Sequence, residues 1–206
     1  MINNQLENHW ENVHSKKKEN EVSWFQIYPK ISLEIVNSLN LNNSAKIIDV
    51  GGGESRFVDN LLEMGFYNID VLDISKSAID KAKKRLGDKS STINWIISDI
   101  NDFKPEKKYD LWHDRAAFHF LRNQIEINNY VDLAADSISR NGKIIIGTFS
   151  SNGPEKCSGL EVSRYNLKSI KKEFKKHFTL NSHLISNHST PFNTFQEFLF
   201  TCFNKK

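Results

Sequence analysis

Two cysteines, four prolines and nine glycines are few for a chain of 206 residues. Cys157 and Cys202 are too few and too far apart for a disulfide framework or a zinc cluster, so a reducing, cytoplasmic setting is expected. No stretch approaches the roughly 18 apolar residues that a membrane span needs. The opening stretch, "MINNQLENHWENVHSKKKENEVSWF", has no apolar core of a secretory signal, so no targeting segment is expected. An excess of one charge is also missing. The 28 basic and 25 acidic residues leave a net +3, too mild to argue for nucleic acid. No His/Asp cluster has ligand spacing, and no metal is expected. Repeats and low-complexity linkers are absent too. Apolar residues make up 38% of the chain and 14 residues are Phe, enough for the core of one domain.

Three of those nine glycines stand together in "AKIIDVGGGESRF" (45–57). A tight turn needs one. "AKIIDV" reads as a first strand, and Phe57, Val58, Leu61 and Leu62 then recur at helical spacing. "NIDVLDI" (68–74) reads as a second strand, followed by a helix whose Ile79, Ala82 and Leu86 line one face and which Gly87 closes. "TINWIISDI" (92–100) and "YDLWHDR" (109–115) are strands three and four. A helix over 124–139 and a strand over 142–149 follow. Strand and helix alternate five times, which implies a parallel sheet with helices on both faces. After a helix over 167–178, "TLNSHLISNHS" and "FQEFLFTCF" are separated only by a short break at Pro191. Strands joined that closely pair antiparallel. The expected fold is therefore Rossmann-like α/β: five parallel strands plus a C-terminal antiparallel hairpin, seven in all. Residues 1–44, polar and with a helix over 30–39, are expected to form a helical extension over the sheet's C-terminal edge. Residues 45–206 form the main domain.

In an open parallel sheet a ligand binds outside the carboxyl ends of the strands. Gly51, Gly52 and Gly53 sit there. They permit positive φ and close approach of a ligand, and the next helix points free N–H groups at it. A dinucleotide fingerprint fails, because Arg56 stands where G-x-G-x-x-G needs its last glycine. Two more acids end the next two strands. Asp73 is placed to accept both ribose hydroxyls of a nucleoside, and Asp99 to accept from an adenine amino group. The alternative for each is a helix cap or turn residue.

On these residues the chain resembles the class I S-adenosylmethionine-dependent methyltransferases. "IIDVGGGES" resembles their first motif, D/E-x-G-x-G-x-G, with Ser55 in place of the third glycine. "VLDIS" resembles the second, "SDI" the third, and the closing hairpin is also theirs. The resemblance covers about residues 45–205. It implies that S-adenosylmethionine is the cofactor and that Asp49 orients the loop and meets the methionine amino group. It also implies that Gly51 and Gly53 pass near the methionine and ribose, that Asp73 with Ile74 holds the ribose, and that Asp99 with Ile100 holds the adenine end. A sulfonium favours aromatic faces, for which Trp10, Trp24, Phe25, Trp112 and Phe118 are candidates. Trp24 in particular is expected to cover the cofactor. The lead-in "HWENVHSKKKENEVSWFQ" (9–26) is similar to that of small thiol methyltransferases and of protein-lysine methyltransferases.

The acceptor side is expected in "WHDRAAFHFL" (112–121). His113 can take a proton from an amine or thiol, Asp114 can orient it or attract a cation, and Arg115 can hold a substrate carboxylate. The alternative is that Asp114 and Arg115 cap the following helix and His119 packs inside. The Gly-, Pro- and Ser-rich stretch 148–165 is long enough to be a lid or binding loop offering Lys156, Cys157 and Arg164. "HDRA" is not the N/D-P-P-Y/F motif of exocyclic base methylation, and the lysine runs read as solvated faces. The leading expectation is methyl transfer to a small molecule or a protein side chain, with nucleic acid disfavoured, by a monomer or weak homodimer. The alternatives are a nucleoside-binding module without catalysis and, less favoured, a nicotinamide-dependent oxidoreductase.

Overall fold

A computed structural model describes residues 2–206. The first five strands are β1 (Ile47–Val50), β2 (Ile69–Asp73), β3 (Asn94–Ile97), β4 (Tyr109–Arg115) and β5 (Ile138–Phe149). β6 (Lys156–Cys157) and β7 (Leu160–Glu161) form a separate two-stranded ribbon. β8 (Phe178–Ser189) and β9 (Phe195–Lys205) close the main sheet. Its order is β3-β2-β1-β4-β5-β9-β8. The first five strands pair in parallel, and β9 runs antiparallel between β5 and β8. The expected fold is thus the observed one.

Among the described residues the α-helices are α1 (Ile2–Lys16), α2 (Lys30–Ser38), α3 (Phe57–Glu63), α4 (Lys76–Leu86), α5 (Gln124–Ser137) and α6 (Leu167–Phe174). Successive strand residues face opposite sides of the sheet, so the strands feed two cores. Ile48, Val50, Leu72, Trp112 and Ile144 pack with Tyr130 and Ala134 of α5 and Phe174 of α6. Ile47, Val71, Leu111 and Ile145 pack with Leu33 and Val36 of α2 and Phe57 and Leu61 of α3. A strand buried on both faces reads as a continuous apolar run, which is why "AKIIDV" shows no alternation.

Several details depart from the sequence reading, among them the helix expected over 167–178, which ends at Phe174. β3 stops at Ile97, not residue 100, because Asp99 Oδ1 accepts from the Asn101 backbone N–H at 2.8 Å and turns the chain. α5 gives way directly to β5 at Ile138, four residues before the expected strand start. The stretch after β5 is not a plain loop: Ser158 (φ 50°) and Gly159 (φ 82°) make the tight turn of the β6–β7 ribbon.

Candidate active site

The first strand sets the floor of the site. β1 lies between β2 and β4, with Asp49 opposite Val71 on one side and His113 on the other. At its tip the chain turns back over the sheet: the Gly51 and Gly52 N–H groups donate to Leu72 O at 2.8 and 3.2 Å. Gly51 has φ +66°, a conformation that an L side chain rarely adopts. What the next two glycines make room for is the protein's own acids. A Cβ on Gly52 lies 2.5 Å from Asp49 Oδ2, and one on Gly53 lies 2.5 Å from Asp73 Oδ2. The close approach expected of a ligand is thus first an approach of two carboxylates beneath the main chain. Ser55, in the third glycine's place, accepts from the Phe57 N–H at 3.1 Å. One of the helix amides expected to face a ligand is therefore already taken.

Above this bend lies a crevice at the carboxyl ends of β1, β2 and β4, lined by Asp49, Gly51–Gly53, Asp73, Ile74, Asp99 and Ile100. The three strand-end acids meet there, and each is incompletely satisfied or strained by burial. Asp49 Oδ1 bonds His113 Nδ1 at 2.6 Å, and its Oδ2 is buried without a partner. Asp99 Oδ2 is also buried and unpartnered. Asp73 Oδ1 accepts from the Ser75 N–H at 2.8 Å. Burial pushes the Asp73 carboxyl above the usual carboxylate range, and the neighbouring Asp49 charge adds to the rise. Buried carboxylate oxygens without donors call for a ligand that brings N–H or O–H groups or positive charge.

The opposite wall comes from the N-terminal segment. Leu6, Trp10 and His14 of α1 line the crevice, as do Trp24 and Phe25. Trp10 meets Trp24 edge-on at 5.7 Å and Phe120 at 5.1 Å. Two clasps hold this wall in place. Glu11 of α1 accepts from Ser75 Oγ at 2.8 Å and the Ser77 N–H at 3.0 Å, at the start of α4. Arg56 donates to both oxygens of Glu19, from Nε at 3.2 Å and from Nη2 at 2.6 Å.

The acceptor-side residues divide. His113 lines the crevice but is only 2% exposed. Its Nδ1 is held by Asp49, its Nε2 lies 2.8 Å from Ser32 Oγ, and its ring stacks on Phe57 at 3.9 Å. With both nitrogens engaged it is not set up as a base toward an acceptor. Asp114 does not line the crevice at all. It is fully buried: Oδ1 accepts from the Ala117 and Phe118 N–H groups at 3.0 Å each, and Oδ2 accepts from Tyr130 OH at 2.7 Å. Burial raises its carboxyl to about 6, against the pull of those bonds. The capping alternative describes Asp114; the orienting role does not. Arg115 reaches the crevice. Trp112 points into the core, where its Nε1 donates to Tyr130 OH at 2.9 Å, so it offers no face to a sulfonium. His119 is buried, and burial with the Arg115 charge lowers it to about 3. Arg164 is engaged within its own loop, donating to Gly153 O and Glu155, while Cys157 lines the crevice with its thiol pushed up to about 12 by burial. Among the described residues no group of three His, Cys, Asp or Glu side chains is placed to hold a metal.

A sheet with one reversed strand beside β5, acids at the tips of its first strands and a glycine bend between them place the molecule in the class of S-adenosylmethionine-dependent methyltransferases. The chain belongs to the methyltransferase domain family, whose profile matches residues 41–198. It is 37% identical over 107 residues to malonyl-[acyl-carrier protein] O-methyltransferase 1 of Ilyobacter polytropus, covering 51% of this chain and 38% of that protein. It is 32% identical over 111 residues to alpha N-terminal protein methyltransferase 1 of Dictyostelium discoideum, covering 52% and 39%. The chain thus spans about two fifths of the length of these curated relatives. Among solved structures, 1,6-didemethyltoxoflavin-N1-methyltransferase of Burkholderia thailandensis, with S-adenosylhomocysteine bound, superposes with a TM-score of 0.73 at 14% identity, covering 100% of this chain and 87% of that one. That likeness concerns the fold.

Proposed function

We propose that this chain transfers a methyl group from S-adenosylmethionine to a small molecule or a protein side chain. The observation that carries the reading is the set of buried, donor-seeking carboxylates along the glycine bend. When bound, the cofactor supplies an electrophilic methyl on a sulfonium. Asp49 Oδ2 would take the ammonium of its amino-acid end, Asp73 would accept from the ribose hydroxyls, and Asp99 would accept from the adenine amino group. His113 is a positioning residue: it holds Asp49 in place through Nδ1 and is itself held by Ser32. Trp10 and Trp24 exclude water and offer ring faces to positive charge. With His113 engaged and the Cys157 thiol pushed up to about 12, neither supplies a base. An acceptor that arrives with its lone pair free needs neither, and the chain's contribution is then alignment.

We assign residues 1–44 as a lid docked on a methyltransferase domain of residues 45–206, supported by the Glu11 and Arg56 clasps. A reducing, cytoplasmic setting accords with two buried free thiols, and no described helix is long and apolar enough to cross a membrane. Both kinds of relative named above, one for a malonyl-carrier and one for protein N-termini, are compatible with this acceptor range.

Incubation with S-adenosylmethionine labelled in its methyl group and fractionated cell extract tests the reading. Label passes to an acceptor fraction if it holds; label that stays on the cofactor in every fraction overturns it. Trp24→Ala is expected to weaken S-adenosylmethionine binding, and an unchanged calorimetric affinity removes that side chain from the site.

A further inference from the structure

Arg115 ends β4 and lies beside Gly147 of β5. Its Nη1 donates to Trp24 O at 3.1 Å, and the guanidinium sits 4.8 Å over the Phe198 ring. Its Nε and Nη2 are buried and have no partner. Those two N–H groups lie parallel along one edge of the guanidinium, the edge that takes a carboxylate with two bonds at once. Among the described residues no carboxylate is ion-paired to Arg115; the Asp49 charge acts on it through space, but Asp49 Oδ1 belongs to His113. Burial lowers Arg115 only to about 10, so it keeps its charge at neutral pH. A half-buried cation that lines a ligand crevice and keeps two buried N–H groups without a partner lacks a counter-ion.

The surroundings narrow what that counter-ion is. Phe120 and Trp24 line the same crevice. Arg56, the other arginine there, is already engaged by Glu19. A single fork with one positive charge suits a monoanion with two coplanar oxygens. A phosphate dianion leaves its third oxygen without a cation.

Resting on the methyl-transfer reading, we propose that the acceptor is an organic acid whose carboxylate is gripped by Nε–H and Nη2–H of Arg115 and whose apolar body lies against Trp24 and Phe120. The protein saturated with S-adenosylhomocysteine is titrated with phenylacetate, with phenylacetamide and with inorganic phosphate, and tryptophan fluorescence is followed. Phenylacetate is expected to bind at least tenfold more tightly than either of the others. Arg115→Gln and Arg115→Lys each lose at least tenfold for phenylacetate, lysine because it lacks the fork, while S-adenosylhomocysteine affinity stays within about threefold. Phenylacetate and its amide binding within twofold of each other, phosphate binding more tightly, or an Arg115→Gln protein that binds phenylacetate unchanged overturns the proposal. Failure of the unsubstituted protein to bind S-adenosylhomocysteine strikes the methyl-transfer reading instead.

Discussion

At Gly52 a missing side chain lets Asp49 lie under the main chain, and the two residues cannot be changed independently. Gly52→Ala puts a methyl 2.5 Å from Asp49 Oδ2 and 2.9 Å from Val71 Cγ1. Val71 is fully buried in the sheet and cannot yield, so Asp49 must swing away and its bond to His113 is lost. We expect this variant to fold with reduced stability and to bind S-adenosylhomocysteine at least tenfold more weakly by calorimetry. Retained affinity would show that Asp49 does not need its present position. The roles of His113 and Asp114 illustrate what a sequence hides at this scale. Their neighbours in sequence suggest a catalytic pair. Their partners in space, Ser32 at 81 residues' separation and Tyr130 on α5, turn one into a support for Asp49 and the other into a cap. No local pattern marks such long-range bonds. That the glycine bend and the strand-end acids share one crevice is legible because it follows from strand-end position, which periodicity reveals.

At the level of elements, α1 is the piece that periodicity did not anticipate. Its helix is mostly polar, and among its described side chains Leu6, Trp10 and His14, about one residue per turn, line the crevice. So narrow a stripe is weak as a helix signal, though its i, i+4, i+8 spacing is there to be seen. β1, β2, β4 and β9 were readable since they bury continuous apolar runs. α1 instead depends on its clasp to α4 through Glu11. Hydrogen bonds to a charged acceptor stabilise by about 1.5–3 kcal/mol. Glu11→Ala should therefore free α1 from the body. Hydrogen exchange over residues 5–16 should quicken markedly while β1 amides keep their protection. Unchanged exchange in α1 would mean that the aromatic contacts of Trp10 suffice to dock it.

The whole molecule's response to acid reflects histidines that fold uncharged. His188 on β8 donates from Nε2 to Ser23 O at 2.7 Å and so ties the N-terminal segment to the far edge of the sheet. Burial first, and the Arg115 charge second, lower it to about 4. Between that value and the ordinary value near 6.5 the unfolded chain takes up a proton that the folded one refuses. Stability from this group is complete above pH 6.5 and is lost as pH falls toward 4. Asp114, raised to about 6, acts with the opposite sign, because its folded form binds the extra proton. His188→Gln keeps a donor for Ser23 and removes the titration. Its melting temperature should fall less between pH 7 and pH 5 than that of the unsubstituted protein, and parallel profiles would contradict the assignment. The central claim for the molecule is that its crevice holds S-adenosylmethionine by main chain at one end and carboxylates along the nucleoside. Calorimetric titration with S-adenosylhomocysteine, set beside the same titration of Asp73→Asn, tests it most directly. We predict saturable one-to-one binding, weakened by about 1.5–3 kcal/mol in the variant; no binding to either protein, or equal binding to both, would contradict it.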